Sequence, residues 1–87
     1  MTSVQLSMFI ELTKNLSFSK TAELFYTTQP TVSRQIGMLE EEWGVKLFER
    51  NRRTVKVTKA GLLLADICAE NKKALEKGLK QAKRYKK

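Results

Sequence analysis

Two short runs hold the side chains of this sequence best suited to chemistry: Thr28-Gln29-Pro30-Thr31-Val32-Ser33-Arg34, and Arg50-Asn51-Arg52-Arg53 with Lys56 close behind. Their groups are hydroxyls, a primary amide, guanidinium forks and an ammonium. Such groups form hydrogen bonds and ion pairs, and on duplex DNA they divide naturally. Arginine and glutamine can read base edges, while hydroxyls, backbone N–H groups and basic side chains hold phosphates. Bond-making chemistry is not provided for. The chain has no histidine, no nucleophile–base pair and no glycine-rich phosphate loop, so an enzyme is not expected. Glu40, Glu41 and Glu42 project in different directions from a helix and cannot act as a carboxylate pair. The single cysteine, Cys68, cannot close an internal disulfide, and the ligands of a zinc-type site are lacking. No metal and no cofactor are expected in this chain.

The first run needs a helix to present it, and the local sequence predicts one. Thr28 is a good N-cap, Pro30 in the first turn gives up only an N–H the helix would not use, and Gly44 can end the helix in the left-handed conformation. Val32, Ile36, Leu39 and Trp43 recur at intervals of four, three and four, which at about 100° per residue places them in one narrow, buried arc. Pro30, Arg34, Gly37 and Glu41 lie opposite, with Thr31, Ser33 and Met38 on the shoulders. By itself this pattern suits an ordinary surface helix with a solvated face as well as one that enters a major groove. Its neighbours favour the groove. Residues 19–26 read as a short helix capped by Ser17 or Ser19, with Ala22, Phe25 and Leu24 facing inward, and Thr27-Thr28 is too short a link for antiparallel packing. Two helices so joined form a helix-turn-helix. Residues 45–50 and 54–58 then read as strands around Asn51-Arg52-Arg53, a basic wing able to lay arginine along the minor groove.

The remaining elements supply a core and an arm. Residues 4–15 form an amphipathic helix expected to bury Leu6, Phe9, Ile10 and Leu12, and Phe18 staples it to the next helix. Thr58 caps a long last helix running toward Tyr85, roughly 40 Å at 1.5 Å per residue. Leu64, Cys68, Asn71, Leu75 and Ala82, with Leu79 adjoining, form a weak heptad seam for a partner helix. Ala60, Leu63 and Ile67 lie on a neighbouring arc that can pack onto the first helix. The expected fold is mainly α: a winged helix-turn-helix of three helices and a two-stranded wing, followed by a long C-terminal linker helix. The division falls into residues 1–58, the DNA-binding body, and 59–87, the dimerisation helix with its basic tail.

Charge alone does not make the case for DNA. The net charge is +8, but eight bases against Glu76 alone follow position 70, and residues 1–70 hold nine bases against eight acids. Patterning is what counts: Arg50, Arg52, Arg53, Lys56 and Lys59 crowd the wing, while Glu40, Glu41 and Glu42 sit at the far end of the reading helix. Residues 1–12 lack the basic start and apolar run of a signal peptide, and Leu62-Leu63-Leu64-Ala65 is too short to cross a membrane.

Ser17-Phe18-Ser19, Ala22, Gln29-Pro30, Val32-Ser33, Gln35-Ile36, Leu39-Glu40, Gly44, Leu47-Phe48, Arg50, Arg53, Thr58 and Ala60-Gly61 together resemble the N-terminal domain of LysR-type transcriptional regulators, without a gap from about Leu6 to Gly61. Leu16 stands where the family usually has glycine, and Thr21 where it usually has alanine. Phe25 and Trp43 replace leucines, and Gly37 and Met38 occupy positions where polar or basic residues are common. The resemblance implies a bacterial, cytoplasmic, nucleoid-associated regulator. It also implies a homodimer through the linker helix, with a higher oligomer in the full-length protein. A larger effector-binding domain is expected to follow and to hold the small-molecule inducer. The expected partner is double-stranded DNA carrying an interrupted palindrome. Gln29, Pro30, Thr31, Ser33 and Arg34 are assigned to the major groove, Arg34 and Gln29 on base edges and Thr31, Ser33 and the Thr28 backbone on phosphates. Arg53 is assigned to the minor groove, and Arg50, Arg52 and Lys56 to phosphates. A protein-interaction scaffold with the same fold is the competing reading, and the three wing arginines speak against it.

Overall fold

The computed structural model describes residues 1–85, in the order α1 (Ser3–Asn15), α2 (Phe18–Leu24), α3 (Gln29–Trp43), β1 (Phe48–Arg50), β2 (Val55–Val57) and α4 (Lys59–Ala82), ending in a 3₁₀ turn over Lys83–Tyr85. Each helix starts on a side-chain cap. Thr2, Ser17, Thr28 and Thr58 accept from the backbone N–H groups of Gln5, Lys20, Thr31 and Gly61, which satisfies donors that no carbonyl of the helix can reach. Gly44 closes α3 at φ 70°, as its lack of a Cβ allows. Leu16 closes α1 at φ 51°, in the same left-handed region, where glycine would sit without strain.

The core is one cluster in which Phe9 is central. Its ring meets Trp43 at 5.8 Å and Phe48 at 5.9 Å, both edge to face, so α1 is tied to the end of α3 and to the start of the wing. Val32, Ile36 and Leu39 are buried as the α3 periodicity predicts, and Trp43 is half-buried. On α1 the buried arc is Gln5, Met8, Phe9 and Leu12, and the expected Leu6 and Ile10 are only half-buried. Gln5 explains the rotation. Its Oε1 accepts from the Thr2 N–H at 3.0 Å and its Nε2 donates to Gln35 Oε1 at 2.9 Å, so a buried amide caps α1 and ties it to α3. In α2, Ala22 is buried and Phe25 half-buried, but Leu24 points to solvent at 57% exposure. Thr21, for which hydrophobic patterning gives no place, is fully buried and donates to Asn15 Oδ1 at 3.2 Å.

The wing is shorter than expected. Ladder pairing covers only Phe48 with Val57, Glu49 with Lys56 and Arg50 with Val55. Val45, Lys46 and Leu47 instead form the link from α3, with the Leu47 and Phe48 N–H groups donating to Glu40 Oε2 at 2.8 and 3.3 Å. At the tip, Asn51 Oδ1 accepts from the N–H groups of Arg53 and Thr54, both at 2.9 Å, a side-chain turn that leaves both arginines outside.

α4 leaves the body at Gly61, and that residue sets its rotation. A Cβ there would stand 2.4 Å from the Leu47 carbonyl oxygen and 2.8 Å from Val57 Cγ2, so backbone approaches backbone as only glycine permits. The face turned inward is therefore Gly61, Leu64, Ala65 and Cys68. Leu63 and Ile67, expected against α1, are 62% and 45% exposed instead. Residues 70–84 of the arm are all exposed, and the molecule measures 54 × 27 × 21 Å. No helix among the described residues is long and apolar enough to cross a membrane.

Two glycine substitutions should therefore move stability in opposite directions. Gly61→Ala forces the wing and α4 apart and is expected to lower the melting temperature by about 5–15 °C. A methyl group at Gly37 would meet nothing within 4 Å, so Gly37→Ala should gain roughly 0.5–1 kcal/mol of helix propensity. Thermal melts of both variants by circular dichroism check the pair, and a stabilised Gly61→Ala would refute the close-approach account.

Candidate nucleic-acid interface

The polar residues of the first α3 turns stand on the side opposite the Val32, Ile36 and Leu39 stripe. Thr28, Gln29, Pro30 and Arg34 are exposed, and Thr31 and Ser33 are half-buried. Most of them are held. The Thr28 and Thr31 hydroxyls share a hydrogen bond at 2.9 Å, which orders the helix start and leaves one hydroxyl proton of the pair for an outside acceptor. Gln29 Nε2 donates to Ser19 Oγ at 2.6 Å, tying the first residue of α3 to the first turn of α2. Arg34 makes no hydrogen bond or ion pair among the described residues, so its five donors face solvent.

The wing joins this surface at its base. Arg50 Nη1 donates to Ser33 Oγ at 2.8 Å, and the Arg50 guanidinium carbon lies 4.5 Å over the Phe18 ring. The start of α2, the middle of α3 and the end of β1 thus meet at one guanidinium. Arg52, Arg53 and Lys56 are exposed and carry no carboxylate partner; the one ion pair among the described residues joins the Met1 amine to Glu42 at the opposite end of α3. Glu49 is the only acid within the wing, opposite Lys56 in the ladder. Every residue assigned to DNA from the sequence lies on α3, its cap or the wing. The Arg50–Ser33 bond places the two groups side by side.

Three features escaped the sequence reading. Ser19 is a partner of Gln29, which no spacing rule reveals. Glu40, grouped with the acids kept away from DNA, has a structural task on the Leu47 and Phe48 amides. Tyr26 is 98% exposed at φ 52°, in the turn just before Thr28. An aromatic in so short a link between helices was the available signal.

A second surface lies away from these residues. An apolar groove of about 610 Å³ runs between α1 and α4, with Leu6, Ile10, Trp43, Leu64, Ile67, Leu75 and Leu79 in its walls. Of the expected seam, Leu64 and Cys68 are half-buried against the body, and Asn71, Leu75, Leu79 and Ala82 are exposed. Burial pushes the Cys68 thiol up from its ordinary value, so it stays protonated and acts as an apolar filler.

Known proteins share this arrangement. AlsR of Bacillus subtilis, an HTH-type transcriptional regulator, is 38% identical over 79 residues, 91% of this chain and 26% of its own length. The DNA-binding transcriptional dual regulator OxyR of Escherichia coli is 43% identical over 61 residues, 70% of this chain and 20% of its own length. The chain thus spans about a quarter or less of these relatives. Among solved structures, the BenM DNA-binding domain in complex with benA site 1 DNA superposes with a TM-score of 0.89 at 33% identity, covering 98% of this chain and 96% of that one. Residues 4–62, which carry the helix-turn-helix, the wing and the Gly61 contact, match the bacterial regulatory helix-turn-helix proteins of the lysR family, and the chain belongs to that family.

Proposed function

We propose that this chain is the sequence-specific, double-stranded-DNA-binding and dimerisation part of a bacterial transcriptional regulator acting in the cytoplasm on the nucleoid. The observation that carries the reading is the Arg50–Ser33 contact, which sets the exposed start of α3 and the arginine wing side by side. α3 enters a major groove N-terminus first, with Arg34 and Gln29 toward base edges and Thr28, Pro30, Thr31 and Ser33 against the backbone. Arg53 reaches the neighbouring minor groove from the wing tip, and Arg52 and Lys56 lie near phosphates. The complex of the similar BenM domain with DNA supports this use of the fold. No reaction is assigned to the chain, and a small-molecule inducer belongs to an effector domain of the whole protein.

A second copy is the proposed cover of the groove between α1 and α4. The body (residues 1–58) is too small to cover the arm (59–87), and the groove walls join the seam of α4 to Leu6 and Ile10 of α1. The α4 helices run antiparallel in this reading. Parallel helices would set the lysines after position 70 against each other, whereas antiparallel ones lay each tail beside Asp66 and Glu70 of the other copy. The two bodies then stand apart, as two half-sites of an interrupted palindrome require.

Selection from a random duplex library should enrich one palindromic site. On that site Arg34→Ala is expected to lose roughly 1–3 kcal/mol while keeping the parent's affinity for random DNA within a few-fold. Unchanged binding to the selected duplex would return Arg34 to solvent. For Arg53→Ala the expected loss falls on all sequences, most where A·T pairs flank the site, and the slope of log K against log salt drops by about one unit. An unaltered slope would take the wing tip off the DNA. The dimer makes a prediction of its own: sedimentation should show association strengthening with added salt, because each copy carries a net charge of +8 and the overall repulsion between copies is screened. A monomer at high micromolar concentration in low and high salt alike would exclude this interface.

A further inference from the structure

Arg50 differs from the other wing arginines in being engaged already. Its guanidinium carbon lies 4.5 Å over the Phe18 ring and its Nη1 donates to Ser33 Oγ at 2.8 Å, whereas Arg52 and Arg53 make no side-chain contact of this kind among the described residues. Held between a ring and a hydroxyl, the group is poorly placed to follow a phosphate. It is well placed to govern Ser33. A serine hydroxyl has two lone pairs and one proton. In a helix it commonly turns that proton back onto the carbonyl four residues earlier, here that of Gln29. The Arg50 bond fills one lone pair, and Ser33 Oγ makes no other hydrogen bond among the described residues. A cationic donor on the oxygen also polarises the O–H and makes it a stronger donor.

We infer that Arg50 is a positioning residue for DNA recognition, acting through Ser33: it aims and strengthens the Ser33 O–H toward an acceptor on the duplex, and its own charge pairs with no phosphate. The inference rests on the DNA-binding reading and replaces the phosphate role that residue type alone gives Arg50. Lysine cannot replace arginine here. An ammonium is a compact point charge, with no fork of donors to reach Ser33 while its centre lies over the Phe18 ring. A simple counter-ion, by contrast, would be replaced by lysine with little loss.

The test uses the full 87-residue chain, the duplex it selects from a random library, and a random-sequence duplex. Ser33→Ala and Arg50→Lys should each weaken the selected complex by about tenfold, and the double variant should be no weaker than either single one, because both remove the same interaction. Neither should change the salt slope, since a serine hydroxyl neutralises no phosphate charge and Arg50→Lys keeps the cation. Phe18→Leu, which keeps an apolar filler and removes the ring face, should show the Arg50→Lys profile, and it carries the test if Arg50→Lys fails to fold in a thermal melt. Parent-like affinity in Arg50→Lys, with Arg50→Met losing about one unit of salt slope, would make Arg50 a phosphate contact and overturn the inference. So would additive losses in the double variant. A parent chain that binds selected and random duplexes alike would instead sink the DNA reading, and Arg50's role with it.

Discussion

The backbone of Leu47 is where α3, the wing and the arm are joined. Its N–H donates to the Glu40 carboxylate on α3 at 2.8 Å, and its carbonyl accepts from the Thr58 N–H at 3.0 Å, at the cap of α4. Gly61 presses against the same carbonyl, and the Leu47 side chain is fully buried. A charged acceptor on one side and a capped helix start on the other leave this residue's backbone little freedom, and a charge-assisted bond of the Glu40 type is stronger than a neutral one. Three elements are therefore fixed relative to each other through the backbone of one residue. Loss of the Glu40 carboxylate would leave two backbone donors of a half-buried link unsatisfied, which costs more than the bonds themselves contribute.

From that junction the placement of the polar surface follows. β1 starts one residue after Leu47, so Arg50 is carried a fixed distance along the ladder, with Phe48 anchored in the core beneath Phe9. The wing stands beside the start of α3 because its base is fixed at the end of α3. The Arg50 contacts to Ser33 and Phe18 then close the circuit from the other side. Electrostatics and packing agree here. The exposed arginines form no ion pair among the described residues, while Glu40 and Glu42 are occupied with backbone amides and the Met1 amine. A modest net charge in the first 70 residues is thus compatible with a strongly one-sided field.

Much of this was legible in the chain because it depends on local rules. The α3 limits follow from Thr28, Pro30 and Gly44, and α4 begins where Thr58 can cap it. The buried stripe Val32, Ile36 and Leu39 follows from spacing alone. Where the reading failed, a helix was given the wrong rotation. Periodicity shows that residues share an arc without showing which arc meets the body. On α1 the choice is made by Gln5, a polar residue that the hydrophobic pattern counts against burial, held inside by Thr2 and Gln35. On α4 it is made by Gly61, whose missing side chain carries no hydrophobic signal at all. Hydrophobicity points Leu24 inward, yet a helix of 7 residues presents only a narrow inner face, already filled by Thr21 and Ala22. The set proposed to face DNA was chosen by residue type and position, which do not reveal its wiring. Gln29 to Ser19 and Arg50 to Ser33 are separated by 10 and 17 residues, and no local rule links them.

The rotation of α1 that the sequence hid also couples the two surfaces. Because Gln5, Met8, Phe9 and Leu12 take the core, Leu6 and Ile10 are left to wall the groove with α4. Trp43 borders both regions, since its ring meets Phe9 on the inside and its other side lines the groove. Trp43 is also the last residue of α3. A partner helix seated in the groove would therefore bear on the same side chain that anchors the far end of the reading helix. Close-packed protein interiors have low compressibility and transmit strain. On this geometry, a second copy seated in the groove would not be independent of the helix proposed to read DNA. The contact that joins two copies would bear directly on α3, so a change in how two arms pack would tilt both reading helices and alter the spacing of their half-sites.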